Sequence, residues 1–385
     1  VNTRDLLEQL PGGIGRLPAT TDTELLTALL ADEPAADTVE ALTRVLPRVR
    51  GAYSLVVLDE RRVIGVRDPH GFRPLVLGRI PRPGGPNDGL DGFWRDDGWV
   101  LASETTALDI IGAEVVRDVE PGEIVILEAG TEPRSVRFAP ATPALCVFEL
   151  IYFARPDSYL EGRNLYEARR RMGMELAREH AVDADLVMPV PDTGAPAAAG
   201  FAEASGTPYR EGMVRNRYSG RTFIQPSQAM RQRGVNVKLS PLREVIRDRR
   251  LIVVDDSIVR GTTTQRIVAA LRKAGAREIH VRISAPPIFH PCFYGIDTQI
   301  ETELIAASHS VDEIRDFIGA DSLGYLSIRG VLSALDLPYD RFCFACFDGR
   351  YPEPVPYDAR NRKFLLEAPA LVAGGVGANG EGPNG

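Results

Sequence analysis

Two adjacent carboxylates, Asp255 and Asp256, close an apolar run, Leu251 to Val254. Ser257, Arg260, Gly261 and three consecutive threonines, Thr262, Thr263 and Thr264, follow them. The apolar run reads as a buried strand, and the periodicity that resumes at Ile267, Val268 and Leu271 reads as a helix. A Gly/Thr loop at a helix N-terminus offers backbone N–H groups to a phosphate. A triphosphate P-loop needs a Lys after its last Gly, where Thr262 stands, so that class is excluded. Carboxylates beside a phosphate loop repel the phosphate unless they meet hydroxyls or a divalent ion. A ribose 5-phosphate satisfies both demands, with its phosphate in the loop and its 2- and 3-hydroxyls at the acids. The bland alternative, a strand capped by Asp-Asp-Ser, explains one acid but not the whole string.

The elements that must position this string follow from the rest of the chain. At 385 residues, two domains are expected. Up to about residue 140 the pattern is mainly antiparallel β with helices. Residues 52–68 read as two strands around an Asp-Glu turn, "WVLASE" and "EIVILEAG" as further strands, and "TDTELLTALLADE" as a helix capped near Thr21 or Asp22. The Pro/Gly-rich run 79–92 reads as a loop. From about 146 the pattern alternates: a helix in "NLYEARRRMGMELAREH", a strand in "ADLVMPVPD", a helix in "APAAAGFAEASG" closed by Gly206, the acid-ended strand, and another strand in "EIHVRISAPP". Alternating strands and helices imply a parallel sheet with helices on both faces, and ligands sit at the carboxyl ends of its strands. Asp192, Thr193 and Asp255 to Thr263 fall there. The Gly-rich stretch 365–385 reads as a disordered tail. Its formal GxGxxG, Gly375 to Gly380, has no room for a following helix and is a chance match.

The net charge of −8 disfavours nucleic acid and anionic membranes as partners, and no apolar run is long enough to span a bilayer. A cytoplasmic location is expected. Four cysteines, Cys146, Cys292, Cys343 and Cys346, then suit metal or redox use better than disulfides. Cys343 and Cys346 form C-x-x-C, which fits a redox pair, half a zinc site or an iron–sulfur edge. Composition does not separate zinc from iron–sulfur, since both accept four thiolates.

The string from Val254 to Thr263 resembles the phosphoribosyl pyrophosphate signature of type I phosphoribosyltransferases. Together with "CVFELIYFARPDS", "GMVRNRYSGRTFIQPSQAMR", "HPCFYGIDT" and "CFACFDGRYP", it resembles the glutamine phosphoribosylpyrophosphate amidotransferase family over residues 1 to about 355, nearest its iron–sulfur branch. The resemblance implies an α/β chain: a truncated N-terminal-nucleophile glutaminase, an αββα sandwich over residues 1–140, followed by a type I phosphoribosyltransferase parallel-sheet domain over 146–355. It implies magnesium at Thr193, Asp255 and Asp256. Substrate contacts would come from Asp255, Asp256, Ser257, Arg260, Gly261, Thr262, Thr263 and Arg215. A flexible closing loop would bring Tyr218 and Arg221, and Asp22 would meet the glutamine ammonium. Cys146, Cys292, Cys343 and Cys346 would ligate a [4Fe–4S] cluster. The family makes 5-phosphoribosylamine and pyrophosphate from phosphoribosyl pyrophosphate and glutamine-derived ammonia, answers to purine nucleotide feedback inhibitors, and assembles as homotetramers.

The family's glutaminase also needs a cysteine whose own α-amine is the base. This chain begins with Val1, and no cysteine precedes Cys146. The expectation is a fragment or processed chain without the glutaminase nucleophile, still able to use free ammonia. Two rivals remain. A salvage nucleobase phosphoribosyltransferase gives no reason for the front domain or the cysteines. A nucleotide-sensing regulatory module is disfavoured as a repressor by the acidic charge.

Overall fold

The structure is a computed structural model, and it describes residues 2–18, 21–81, 98–215, 239–298 and 300–355. Part of the predicted 79–92 loop, Tyr218 and Arg221 of the predicted closing loop, and the predicted tail lie outside the described residues.

The N-terminal part is built from helices α1 (Thr3–Gln9), α2 (Asp22–Asp32) and α3 (Thr38–Val45), strands β1 (Ser54–Leu58), β2 (Arg62–Arg67), β3 (Val76–Ile80) and β4 (Gly98–Ala102), helix α4 (Thr105–Ile110), and strands β5 (Glu114–Asp118), β6 (Glu123–Glu128) and β7 (Arg134–Arg137). One sheet has the order β1-β2-β6-β7 and the other β4-β3-β5, with all pairs antiparallel. Side-chain alternation decides the layering. On β2 and β6, Ile64, Val66, Ile124 and Ile126 pack against Leu42 and Leu46 from α3 and its continuation. Their neighbours Val63, Val125 and Leu127 point the other way, against Leu75, Leu77 and Leu101 of the second sheet. On β3 the alternate residue, Val76, packs on Leu108 of α4. The layers therefore run helix, sheet, sheet, helix, which is the expected αββα sandwich. Gly65 lies where the two sheets approach most closely: a methyl there would sit 2.7 Å from Leu101 Cδ1. At the edge strand β1, Val56 and Leu58 face the inter-sheet side, yet both are exposed.

The C-terminal part holds strand β8 (Leu145–Cys146), the hairpin β9 (Tyr159–Leu160) and β10 (Arg163–Asn164), helix α5 (Leu165–Glu179), strand β11 (Leu186–Pro189), helix α6 (Ala195–Ser205), the pair β12 (Met213–Arg215) and β13 (Leu239–Pro241), strand β14 (Arg250–Asp255), helix α7 (Thr262–Lys273), strand β15 (Glu278–Ile283), helix α8 (Val311–Ile318), strand β16 (Ser322–Tyr325), helix α9 (Ile328–Leu335) and strand β17 (Phe342–Cys343). The main sheet is parallel, in the order β11-β14-β15-β16. Its strands are buried almost without interruption because helices cover both faces, α5, α6 and α9 on one and α7 and α8 on the other. Local signals set the helix ends. Asn164 accepts from Glu167 N–H at the start of α5, Ser310 and Glu313 form a capping box on α8, and Gly206 ends α6 in the left-handed region.

Helices α5 and α6 cross through a pair of glycines. A methyl on Gly173 would overlap the Ala197 carbonyl, and one on Gly200 would overlap the Arg170 carbonyl. Helix propensity alone favours Ala over Gly by about 1 kcal/mol, but overpacking a close crossing costs about 1–3 kcal/mol. Gly200→Ala is therefore expected to be net destabilising, with a lower urea midpoint and an unchanged m-value. A midpoint equal to or above the parent's would show that the crossing relaxes.

Candidate active site at the carboxyl edge of the parallel sheet

Strand β14 delivers Asp255 and Asp256 to the edge of the sheet, and both are buried. Parallel to it, β11 runs out into Pro191, Asp192, Thr193 and Gly194. Gly194 lets this loop lie on β14, since a methyl there would meet Val254 O at 2.5 Å and Val190 O at 2.9 Å. That approach brings Thr193 Oγ1 to donate to Asp256 Oδ1 at 2.6 Å, while Ser257 Oγ donates to Asp256 Oδ2 at 2.7 Å. The Asp256 N–H in turn donates to Asp255 Oδ1 at 3.0 Å. Gly261, at φ +74°, turns the chain into α7 and brings no capping side chain. The N-terminal N–H groups of α7, in the threonine run, are thus left for a ligand.

Asp192, Thr193, Asp255, Asp256, Ser257 and Gly261 line one cleft of about 510 Å³, together with Arg215 and Arg260. Arg215 donates to Asp192 Oδ2 at 2.8 Å across the mouth, and Arg260 pairs with Glu303. The opposite wall is apolar and includes Phe148, Tyr152, Phe153 and Leu239. Behind the wall, Arg169 of α5 is buried and donates to three backbone carbonyls, at Glu149, Leu150 and Ala154. Burial pushes its pKa down to about 10, and the Asp256 carboxylate opposes that shift.

Of the residues named from sequence, Thr193, Arg215, Asp255, Asp256, Ser257, Arg260, Gly261, Thr262 and Thr263 meet in this cleft. Asp22 does not line it. It opens α2 in the N-terminal part, exposed, with Oδ1 accepting from Thr23 N–H. The cysteines converge on a second place. Cys146 and Cys343 are register partners between β8 and β17, and Cys292 and Cys346 lie within electrostatic reach of both. All four are buried and unbridged, and burial raises the pKa of each thiol. Among the described residues no group of three or more His, Cys, Asp or Glu is arranged for a single metal ion.

Sequence reasoning missed Arg169 and Arg73, and it gave no role to Tyr152 and Phe153 within the quoted "CVFELIYFARPDS". For Arg169 a signal existed: it falls on the apolar stripe of α5, between Leu165 and Met172.

Comparison with known proteins adds a relationship to this geometry. Residues 1–84 match the model of a glutamine amidotransferase domain. Over 356 residues, 91% of this chain and 64% of the relative, the chain is 52% identical to the amidophosphoribosyltransferase of Mycobacterium tuberculosis. It is 46% identical to that of Bacillus subtilis, over 93% of this chain and 73% of the relative. The chain belongs to the amidophosphoribosyltransferase family. Among solved structures, the glutamine phosphoribosylpyrophosphate amidotransferase of B. subtilis, complexed with ADP and GMP, superposes with a TM-score of 0.82 at 45% identity. The match covers 93% of this chain and 76% of that one. A structure described as the allosteric regulatory enzyme of purine biosynthesis gives a TM-score of 0.84, also at 45% identity, and covers 75% of that chain. The fold is thus the family's glutaminase sandwich followed by its phosphoribosyltransferase sheet. The chain spans somewhat under two thirds of the length of the mycobacterial relatives.

The acid pair has a consequence for stability. Burial first, and the Asp256 charge second, raise the Asp255 pKa well above the usual carboxylate value. A raised folded-state pKa makes the charged form the costly one. Below the unfolded value of about 3.9 the proton is bound in both states, and stability is then lost as pH rises toward the folded value. Asp255→Asn removes that loss. In magnesium-free buffer the variant should melt above the parent near neutral pH, with the gap closing toward about pH 4. Equal melting temperatures across this range would contradict the account.

Proposed function

We propose that residues 1–385 catalyse phosphoribosyl transfer to ammonia, forming 5-phosphoribosylamine and pyrophosphate from phosphoribosyl pyrophosphate. One observation carries the reading: a buried acid pair and the uncapped N-terminus of α7 face one cleft at the carboxyl edge of a parallel sheet. In this reading Thr262 and Thr263 hold the 5-phosphate through hydroxyls and backbone N–H groups, and Asp255 and Asp256 accept from the ribose diol. Arg215 meets pyrophosphate oxygens. Tyr218 and Arg221, outside the described residues, belong to the same proposal as parts of a closing loop. The nitrogen lone pair of ammonia forms the C1–N bond as the C1–O bond to pyrophosphate breaks, and a proton is lost from nitrogen.

Magnesium fits this cleft. The acid pair lacks a directly bonded cation among the described residues, and magnesium typically takes one or two carboxylates with substrate phosphates rather than a full protein cage. Thr193, Asp255 and Asp256 would hold it. When bound, it neutralises charge on the pyrophosphate leaving group.

The proposal assigns residues 1–140 to the glutaminase unit and 146–355 to the transferase unit. It takes ammonia as the nitrogen that reaches the transfer site, drawn from glutamine in the full-length family. In a glutamine-using form of the family, Asp22 would meet the glutamine ammonium. Purine nucleotides are proposed as inhibitors, on the strength of the B. subtilis relative complexed with ADP and GMP. A cytoplasmic location is part of the same proposal; among the described residues no helix is long and apolar enough to cross a membrane.

The four cysteines are proposed to hold a [4Fe–4S] cluster, which places the chain in the iron–sulfur branch. Four buried, unbridged thiols converge from three segments of the chain, and because burial favours their neutral form, a bound metal is what would hold them as thiolates. The absence of a compact three-ligand group is compatible with this. A tetrahedral zinc ion with bonds of about 2.3 Å draws its sulfurs to about 3.8 Å, whereas a cluster spaces them more widely.

Two tests apply. With ammonium chloride, magnesium and phosphoribosyl pyrophosphate, the protein should release pyrophosphate, and Asp255→Asn or Asp256→Asn should lower turnover by about 10²-fold or more. No release by the parent would refute the assignment. Anaerobically purified protein should be brown, with about four irons and four sulfides per chain. Cys343→Ser should lose both. Stoichiometric zinc in place of iron would transfer the site to the zinc reading.

A further inference from the structure

The apolar wall of the cleft comes from an uncommon piece of backbone. Glu149–Phe153 forms a π-helical turn, and Tyr152 and Phe153 on it both line the cleft. Such turns are rare and tend to occur at functional sites, so the forces holding this one matter. Two arginines hold it, one from each part of the chain. From α5, Arg169 Nε donates to Leu150 O at 2.8 Å, and its Nη2 donates to Ala154 O at 2.6 Å and Glu149 O at 3.3 Å. From the loop between β2 and β3, Arg73 pairs with the buried carboxylate of Glu149, and its guanidinium carbon lies 5.0 Å from the centroid of the Phe153 ring.

Arg73 is itself anchored. Its carbonyl accepts from Arg67 Nε at 2.9 Å and from Ser54 Oγ at 3.3 Å. Arg67 also donates to Val119 O and Gly71 O, which ties the loop to the body of the N-terminal part. The adjacent Phe72 ring stacks on Tyr294 with centroids 4.2 Å apart, and His70 Nε2 lies 2.9 Å from Glu353 Oε1. The loop is thus a plug seated in the C-terminal part, and Arg73 is the residue in it that reaches the cleft wall.

We propose that Arg73 is a positioning residue through which the N-terminal part sets the apolar wall of the transfer site. The proposal rests on the transfer reading given above. Arg73 touches no substrate in it. An ion pair serving only to join the two parts could end anywhere on their seam. This one ends on a carboxylate next to Phe148 and on the Phe153 ring, both of which line the cleft. A wall held in place keeps water from the anomeric carbon while ammonia attacks; a wall released admits water, which yields ribose 5-phosphate and pyrophosphate instead.

The experiment compares Arg73→Met, Arg73→Lys and Glu149→Gln in the full chain. It measures pyrophosphate release with and without ammonium, alongside urea midpoints and metal content. Arg73→Met and Glu149→Gln should lower ammonium-dependent release about ten-fold while the ammonium-independent share of turnover rises, the expected result of a shifted reacting geometry. Arg73→Lys, which keeps the charge opposite Glu149, should recover part of the ammonium-dependent rate. A parallel fall in both rates, or no change in either, would overturn the proposal. A second measurement needs no activity. A Tyr152→Trp reporter should shift its emission to the red and become more open to iodide quenching when Arg73→Met is added. An unchanged reporter overturns the proposal even if transfer is intact. A shifted reporter in a protein whose parent shows no transfer sustains the positioning role and refutes the transfer reading alone.

Discussion

Two neighbouring carboxylates at the end of a buried strand cannot both be charged without positive company, and much of the C-terminal part is arranged around that constraint. Asp255 is driven toward its protonated form by burial and by Asp256. Among the described residues the Asp256 carboxylate accepts from two hydroxyls, Thr193 Oγ1 and Ser257 Oγ, while the Asp256 N–H donates to Asp255. The first full positive charge behind the pair, on Arg169, is turned toward backbone carbonyls instead. What is missing is supplied from the cleft side: the positive end of α7, the cation on Arg215, and whatever ligand brings a metal or a set of hydroxyls. In the proposed transfer reading, a site left short of positive charge favours a polyanion that arrives with its own cation.

The same logic explains why glycine sits where it does around the pair. Thr193 reaches Asp256 because Gly194 lets the β11 loop lie directly on β14, and α7 opens toward the cleft because Gly261 takes a left-handed turn, where a methyl would run into Ile305 Cδ1 at 2.9 Å. A side chain at Gly194 would lift the β11 loop off β14, and one at Gly261 would be strained at its positive φ. The charge problem is thus solved by backbone placement, with few side chains held in reserve.

The acid pole was legible in the sequence because all of its parts are local: a strand, two acids, a glycine turn and a helix within one short stretch, with Thr193 in the matching position of the neighbouring unit. The αββα layers were less so. The strands of the hairpin at 52–68 were plain from alternation, but β3 became recognisable only through the partners its alternate residues meet, Leu108 for Val76 and Leu127 for Leu77. Arg73 was not legible, and the segment of the π-helical turn was visible only as part of a family motif without a role. Their meaning depends on a contact between residues 76 positions apart, Arg73 and Glu149, and a lone arginine in a Pro/Gly loop reads as a solvated surface charge. Asp22 was named through resemblance, and the structure places it at the exposed start of α2, away from the cleft.

The two parts of the chain are therefore joined by more than adhesion. A purely apolar seam, such as the stacked Phe72 and Tyr294, would hold the parts together while saying nothing about the cleft. A buried ion pair is a poor adhesive, because its desolvation cost offsets most of its Coulomb attraction. It is a good locator, since a guanidinium that must meet both one carboxylate and one ring face has few acceptable positions. Glu149 gives up solvent to meet Arg73, and Arg169 gives up solvent to meet the carbonyls on either side of it. Spending burial on both sides of one five-residue turn makes physical sense only if the position of that turn matters more than its stability, and the turn forms a wall of the cleft.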